Sequence, residues 1–178
     1  MDLLLQWNRK INLTSLQDPA EIVKRHFAES LFVAAALRAE TGTLVDIGSG
    51  AGFPGLPTAV ANPRLQVTLV ESVGKKAAFL KEASRPIPNV SVVHGRFEDS
   101  DASFDWGAMR SVSPDRLVAI IASRVNNLAL IVGRPEAARI SSSPLFSWDK
   151  PRPVPWEPTR VLLVGNVPRG TLARKCFT

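Results

Sequence analysis

The stretch Thr43–Gly55, TLVDIGSGAGFPG, constrains the fold more than any other part of this 178-residue chain. Thr43–Ile47 is apolar and short, the pattern of a buried strand. Gly48, Gly50 and Gly52 then alternate with small residues, and Gly55 follows a proline. Glycines there let the chain turn tightly and bring backbone N–H groups close to a ligand. Leu56–Ala61 reads as a helix, so the unit is strand, glycine loop, helix. Such a unit opens a nucleotide-binding α/β sheet.

The remaining segments repeat the alternation. Strands are expected at Gln66–Glu71, Val90–Val93, Phe104–Arg110 and Leu128–Val132, with a helix at Lys75–Arg85 and another starting at Ser113-Pro114-Asp115. Short connections between alternating elements predict a mostly parallel sheet with helices on both faces. Ahead of the sheet, Leu3, Leu4, Trp7 and Ile11 form one helical stripe. Asp18-Pro19-Ala20-Glu21 then caps a helix that runs to about Arg38 and stops at Thr41-Gly42. Residues 134–160 are rich in Pro and Ser with few periodic positions, before a last strand at Val161–Val164. That tail is expected to add one or two edge strands, one of them antiparallel. We therefore expect a single domain, with residues 1–40 a helical extension and residues 41–178 the α/β core.

The loop fits two ligands. Gly48, Gly50 and Gly52 make G-x-G-x-G, the pattern of S-adenosylmethionine enzymes. Gly50, Gly52 and Gly55 make the dinucleotide fingerprint G-x-G-x-x-G, with Glu71 about 20 residues further on. In a dinucleotide site the first glycine comes straight off the strand, and counting from Gly48 puts Phe53 where the third glycine belongs. The strand also ends in a carboxylate, Asp46. A pyrophosphate gains nothing from that charge, whereas the sulfonium and amino group of S-adenosylmethionine do. Glu71 is then placed to accept hydrogen bonds from the ribose hydroxyls. Phe97 and Glu98, after the third strand, lie where the adenine belongs, Phe97 either stacking on the base or sitting in the core.

Composition narrows the partners. The 22 Lys and Arg against 16 Asp and Glu give a net charge of +6, which favours polyanions such as nucleic acid. The single cysteine, Cys176, excludes an intrachain disulfide and a cysteine zinc site. No apolar run is long enough to span a membrane, and the N-terminus lacks a signal-peptide pattern. These features predict a cytoplasmic protein without a metal. Basic runs stand at Lys75, Lys76, Lys81 and Arg85, and at Arg9, Lys10, Lys24 and Arg25.

Several blocks together are family-specific: Trp7-Asn8 with Ile11-Asn12-Leu13-Thr14-Ser15, Arg25-His26, Gly52-Phe53-Pro54-Gly55-Leu56-Pro57, and Glu71-Ser72-Val73-Gly74-Lys75-Lys76. Over residues 7–133 the chain resembles the bacterial small-subunit (16S) ribosomal RNA guanine-N7 methyltransferases, the glucose-inhibited division protein B family. The resemblance implies a Rossmann-like class I methyltransferase fold and S-adenosyl-L-methionine as cofactor. It implies ribosomal RNA or the small ribosomal subunit as partner, and a monomer. It carries cofactor binding onto Gly48, Phe53, Phe97, Glu98 and Arg110, with Arg110 also catalytic; Asp46, Gly50, Gly52 and Glu71 join the cofactor set from the loop and strand-end chemistry above. Substrate contacts fall to Asn12, Arg25, His26 and Lys75. The chain departs from the family in three places. Val132 stands where the family has lysine, the helices before Trp7 are shortened, and Gly133–Arg139 replaces a fuller helix.

Guanine N7 carries an exposed lone pair, so its methylation needs positioning and electrostatics rather than a general base. The chain agrees: it has no tyrosine and no Asn/Asp-Pro-Pro-Tyr motif for exocyclic amines. Rival readings are a small-molecule methyltransferase, a nicotinamide oxidoreductase and a cofactor-binding relative with weakened catalysis.

Overall fold

The central strands are buried on both faces, and side chains pointing alternately to those faces divide the core in two. A computed structural model describes residues 1–37, 41–110 and 117–168. Its strands are β1 (Gly42–Ile47), β2 (Leu65–Glu71), β3 (Val90–His94), β4 (Phe104–Arg110), β5 (Val125–Gly133), β6 (Ser147–Trp148), β7 (Arg152–Val154) and β8 (Glu157–Asn166). They form one sheet in the order β3-β2-β1-β4-β5-β8-β6, with β7 also on β8. Strands β1 to β5 pair in parallel, and β8 runs antiparallel to β5. Leu44, Leu69, Ala108, Ala129 and Ile131 face one apolar cluster, and their neighbours Val45, Val70, Met109, Leu130 and Val132 face the other. Side chains on a strand point alternately to its two faces, so both faces must be covered.

Helices α1 (Asp2–Ile11), α3 (Glu29–Ala36), α4 (Gly55–Ala61) and α5 (Gly74–Ser84) supply the first cluster, through Leu4, Val33, Leu37 beyond α3, Ala59 and Leu80. Helices α6 (Val118–Arg124) and α7 (Arg134–Ser141) supply the second through Ile121, Ala137 and Ile140. The α/β fold, parallel centre and antiparallel edge are as expected. The strand order reverses direction at β1, between β2 and β4, which opens a crevice at the strands' carboxyl ends.

Three local expectations need correction. The helix from Asp18 is not a continuous α-helix: α2 (Pro19–Ile22) passes into a π-helical turn at Val23–Ala28 before α3. The wider turn sets both His26 and Phe27 against Phe53, with ring centroids 4.8 and 5.0 Å away. The tail is more ordered than its composition suggests, because α7 needs only Ala137 and Ile140, one turn apart, to be anchored. The last strand runs for ten residues instead of four, since its polar start pairs with β7 and its far end with β5 and β6. The helix start at Ser113-Pro114-Asp115, the helix end at Arg38 and Cys176 lie outside the described residues. Among the described residues no helix is long and apolar enough to cross a membrane, and no group of three or more His, Cys, Asp or Glu is placed to hold a metal ion.

Candidate functional site

The chain turns directly off β1. The N–H groups of Gly48 and Ser49 both donate to the Val70 carbonyl, at 2.9 and 3.0 Å. Gly48, Gly50 and Gly52 all have positive φ, at 72, 57 and 85°. Their reasons for being glycine differ. A Cβ on Gly50 would meet only the Gly48 oxygen, at 3.9 Å, so its α-carbon faces open space. A Cβ on Gly52 would collide with Leu56, so that position serves the packing of α4. Gly55 allows a close approach: its N–H donates to Asp46 Oδ2 at 2.9 Å, and a Cβ there would come 2.7 Å from the same oxygen.

Asp46 is 1% exposed, and its Oδ1 has no hydrogen-bond partner. Burial pushes its carboxyl up to about 7, against the Gly55 N–H, which favours the ionised form. A buried, half-satisfied carboxylate beside a loop with open space fits a cationic ligand group. Glu71, buried at the end of β2, accepts from Gly50 N–H through Oε2 and from Val73 N–H through Oε1, both at 2.8 Å. Expected at the ribose, it also ties the glycine loop to β2. Each oxygen keeps a second lone pair for a hydroxyl.

Phe97 takes the second of its two expected placements, the core. It is 2% exposed, its ring packs in the second apolar cluster, and the Arg124 guanidinium carbon stands 5.5 Å from its centroid. No ring face remains for stacking on adenine. Arg124 also donates to the carbonyls of Phe97 and Glu98, at 2.7 and 3.3 Å, fixing this exit from β3. The Glu98 carboxylate lies 3.6 Å from Arg96.

Arg110, at the end of β4, is not the surface cation its sequence context allows. Its side chain is 9% exposed and its Nε lies 3.4 Å from Glu29 Oε2, in the fully buried Glu29 side chain. The same oxygen lies 3.3 Å from Arg160 Nη1 on β8. Burial raises the Glu29 carboxyl, against the pull of both arginines. Burial lowers Arg110 to about 10, so it stays charged at neutral pH. Its Nη2 lies 2.6 Å from His26 Nδ1, and its buried Nη1 has no acceptor. His26 Nε2 is 2.7 Å from Thr14 Oγ1, and its ring stacks on Phe53 at an interplanar angle of 22°. The structure thus brings Phe53, His26 and Arg110 together.

Other expected residues lie further out. Asn12 is exposed and closes α1 in the left-handed conformation, with φ 50°. Arg25 is 3.8 Å from Glu157 on β8. Lys75 is exposed on the first turn of α5. Val132 does not leave a gap at the site, because it is 4% exposed and faces the second cluster. Glu29, Thr14, Arg124 and Arg160 were not anticipated. Glu29 carried one legible signal, a carboxylate one helical turn after His26 in an apolar stretch. The other three are placed by contacts distant in sequence.

Comparisons with known proteins agree with this fold. Solved structures of similar fold include the precorrin-6y C5,15-methyltransferase of Geobacter metallireducens, with a TM-score of 0.63, 10% identity, and 89% of this chain and 92% of that one covered. A variant of MtNAS in complex with S-adenosylmethionine has a TM-score of 0.67 and 16% identity, covering 94% and 73%. At such identities these show the Rossmann-like methyltransferase fold alone. Among sequence relatives, the ribosomal RNA small subunit methyltransferase G of Xanthomonas campestris pv. campestris is 44% identical over 126 residues, 68% of this chain and 58% of that protein. The protein of the same name from Alkaliphilus metalliredigens is 39% identical over 121 residues, covering 63% and 51%. The chain spans just over half the length of these relatives. The family model for GidB, rRNA small subunit methyltransferase G, matches residues 1–132, and this chain belongs to that family.

Proposed function

We propose that the chain binds S-adenosylmethionine at the Gly48–Phe53 loop and transfers its methyl group to guanine N7 of small-subunit ribosomal RNA. The observation that carries this reading is a glycine loop whose Gly50 α-carbon faces open space, tied by its N–H to the buried Glu71 and following a strand that carries the buried, half-satisfied Asp46. The unpartnered Asp46 Oδ1, buried as it stands, would face the cationic end of the cofactor, and Glu71 its ribose. The bound cofactor supplies an electrophilic methyl group. Arg110 holds a permanent positive charge at the end of β4 and so suits a carbonyl edge or phosphate of the incoming nucleotide. The chain need not remove a proton from N7, and His26, with both ring nitrogens in hydrogen-bond contacts, is not poised as a base.

The relatives' names and the basic balance support ribosomal RNA as the substrate class. The test is methyl transfer from labelled cofactor to small subunits, and to their naked RNA, from cells lacking the modification. Chemical cleavage at N7-methylguanine should locate the label. Label on an exocyclic amine, a ribose or a small molecule, with none at N7, would overturn the proposal. At saturating cofactor the rate should be nearly flat over about pH 6.5–8.5, because no histidine base titrates in the reaction. A binding-only reading has one observation in its favour: the family match stops at residue 132, before the strand that carries Arg160. Tight cofactor binding with no transfer to either RNA substrate would favour it.

A further inference from the structure

A guanidinium has five N–H donors and no acceptor. Arg110 Nη2 at 2.6 Å from His26 Nδ1 is therefore compatible with only one arrangement, the nitrogen lone pair of Nδ1 accepting. A neutral imidazole carries its proton on one nitrogen, so that proton must sit on Nε2, where Thr14 Oγ1 waits at 2.7 Å. Thr14 is itself rigidly held. Asn8 Oδ1 accepts from its N–H at 2.8 Å, and Asn8 Nδ2 donates to its carbonyl at 3.0 Å. A chain of contacts runs from α1 through Thr14 and His26 to the end of β4.

We propose that Thr14 and His26 are positioning residues for Arg110: the threonine hydroxyl accepts from Nε2–H and holds the imidazole in place, and its Nδ1 pins one arm of the guanidinium. Glu29 faces Nε, so Nη1 is left as the guanidinium nitrogen without an acceptor, in one defined orientation. The surroundings keep the imidazole neutral. Burial, with the charges of Arg110 on β4, Arg160 on β8 and Arg25 on the same helical segment, holds His26 down to about 4, against the Arg25 carbonyl. Glu29, one turn along, is shared by Arg110 and Arg160, and Glu157 faces Arg25. The stacked Phe53 ring fixes the imidazole plane and couples the assembly to the glycine loop. The catalytic consequence rests on the methyl-transfer reading; the tautomer does not.

The test therefore has two arms. The chain has two histidines, so nitrogen-15 shifts of His26 are readily separated from those of His94. At neutral pH and without substrate, Nδ1 should resonate as an unprotonated ring nitrogen and Nε2 as a protonated one. Thr14→Val, nearly isosteric, should shift the Nε2 resonance as its hydrogen-bond acceptor is lost, with Nδ1 still unprotonated beside Arg110, and Thr14→Ser should restore the original shift. An Nδ1–H tautomer, a cationic ring, or a Thr14→Val spectrum unchanged from the original would overturn the proposal. In the second arm, Thr14→Val should lower kcat about 3- to 10-fold, the size of one neutral hydrogen bond, with KM for the cofactor unchanged. Thr14→Ser should again restore the rate. A loss that serine does not restore would assign Thr14 a packing role and refute positioning. If the unsubstituted chain shows no turnover, the proposed function fails, while the nitrogen shifts still decide the tautomer.

Discussion

Asp46 and Glu71 illustrate how much one carboxylate's surroundings decide. Both end a strand and both are buried, but Glu71 satisfies two backbone N–H groups and Asp46 only one. Because the raised carboxyl of Asp46 titrates near pH 7, its contribution to stability is full below about pH 4 and is lost as pH rises through about 7. A cation bound beside it favours the ionised form. Binding of S-adenosylmethionine near neutrality should then release a proton, and affinity should rise with pH through that range. Calorimetry in buffers of different ionisation enthalpy measures this directly, and Asp46→Asn should abolish the buffer dependence. A heat independent of buffer would remove Asp46 from the cofactor site. At the same scale, Gly50→Val should block the loop: its Cβ meets only one carbonyl oxygen, but a φ of 57° strains a β-branched residue, so its folding is checked before affinity is read. Glu71→Gln should weaken cofactor binding roughly 10- to 100-fold, as a charge-assisted hydrogen bond predicts. Unchanged affinity in both folded variants would sink the assignment of the loop.

Among the elements, β5 shows why the position of a residue in a strand outranks its position in an alignment. Val132 follows Ile131, and the two point to opposite faces of a sheet covered on both sides. Val132→Lys would bury an ammonium with no carboxylate beside it, so it should destabilise the chain by about 3 kcal/mol or more. A drop in Tm of roughly 6–12 °C follows for a chain of this size. An unchanged Tm accompanied by faster methylation would show the lysine reaching the site and reverse this account. The cation beside Gly133 comes from β8, where Arg160 is its register partner and donates to the Ile131 carbonyl at 3.2 Å.

For the whole molecule, the charge of +6 matters through its distribution. Trp7 on α1 packs edge-on against Phe79 on α5, with centroids 5.8 Å apart. That contact makes neighbours of the two helices bearing Arg9 and Lys10, and Lys75 and Lys76. If the helices meet RNA phosphates, affinity should fall at least tenfold between about 50 and 200 mM salt, linearly in logarithms. Cofactor affinity should change far less over the same range. A flat salt profile for RNA would argue against a phosphate-contacting surface.

The sequence by itself determined the parts whose physics is local. Alternation of strand and helix, the turn that only glycines make at Gly48 and Gly50, and the carboxylates at strand ends all depend on residues close together in the chain. The capping contact of Asp18, 3.1 Å from the Ala20 N–H, is equally local. Tertiary structure alone decided which of many cations meets which anion. Arg110 and His26 are 84 residues apart, and Arg160 reaches Glu29 from a strand that joins the sheet antiparallel. It also decided the face each side chain takes, sending Phe97 and Val132 into the core. Local propensity fixes a residue's element, whereas strand register and the neighbouring layer fix where its side chain points.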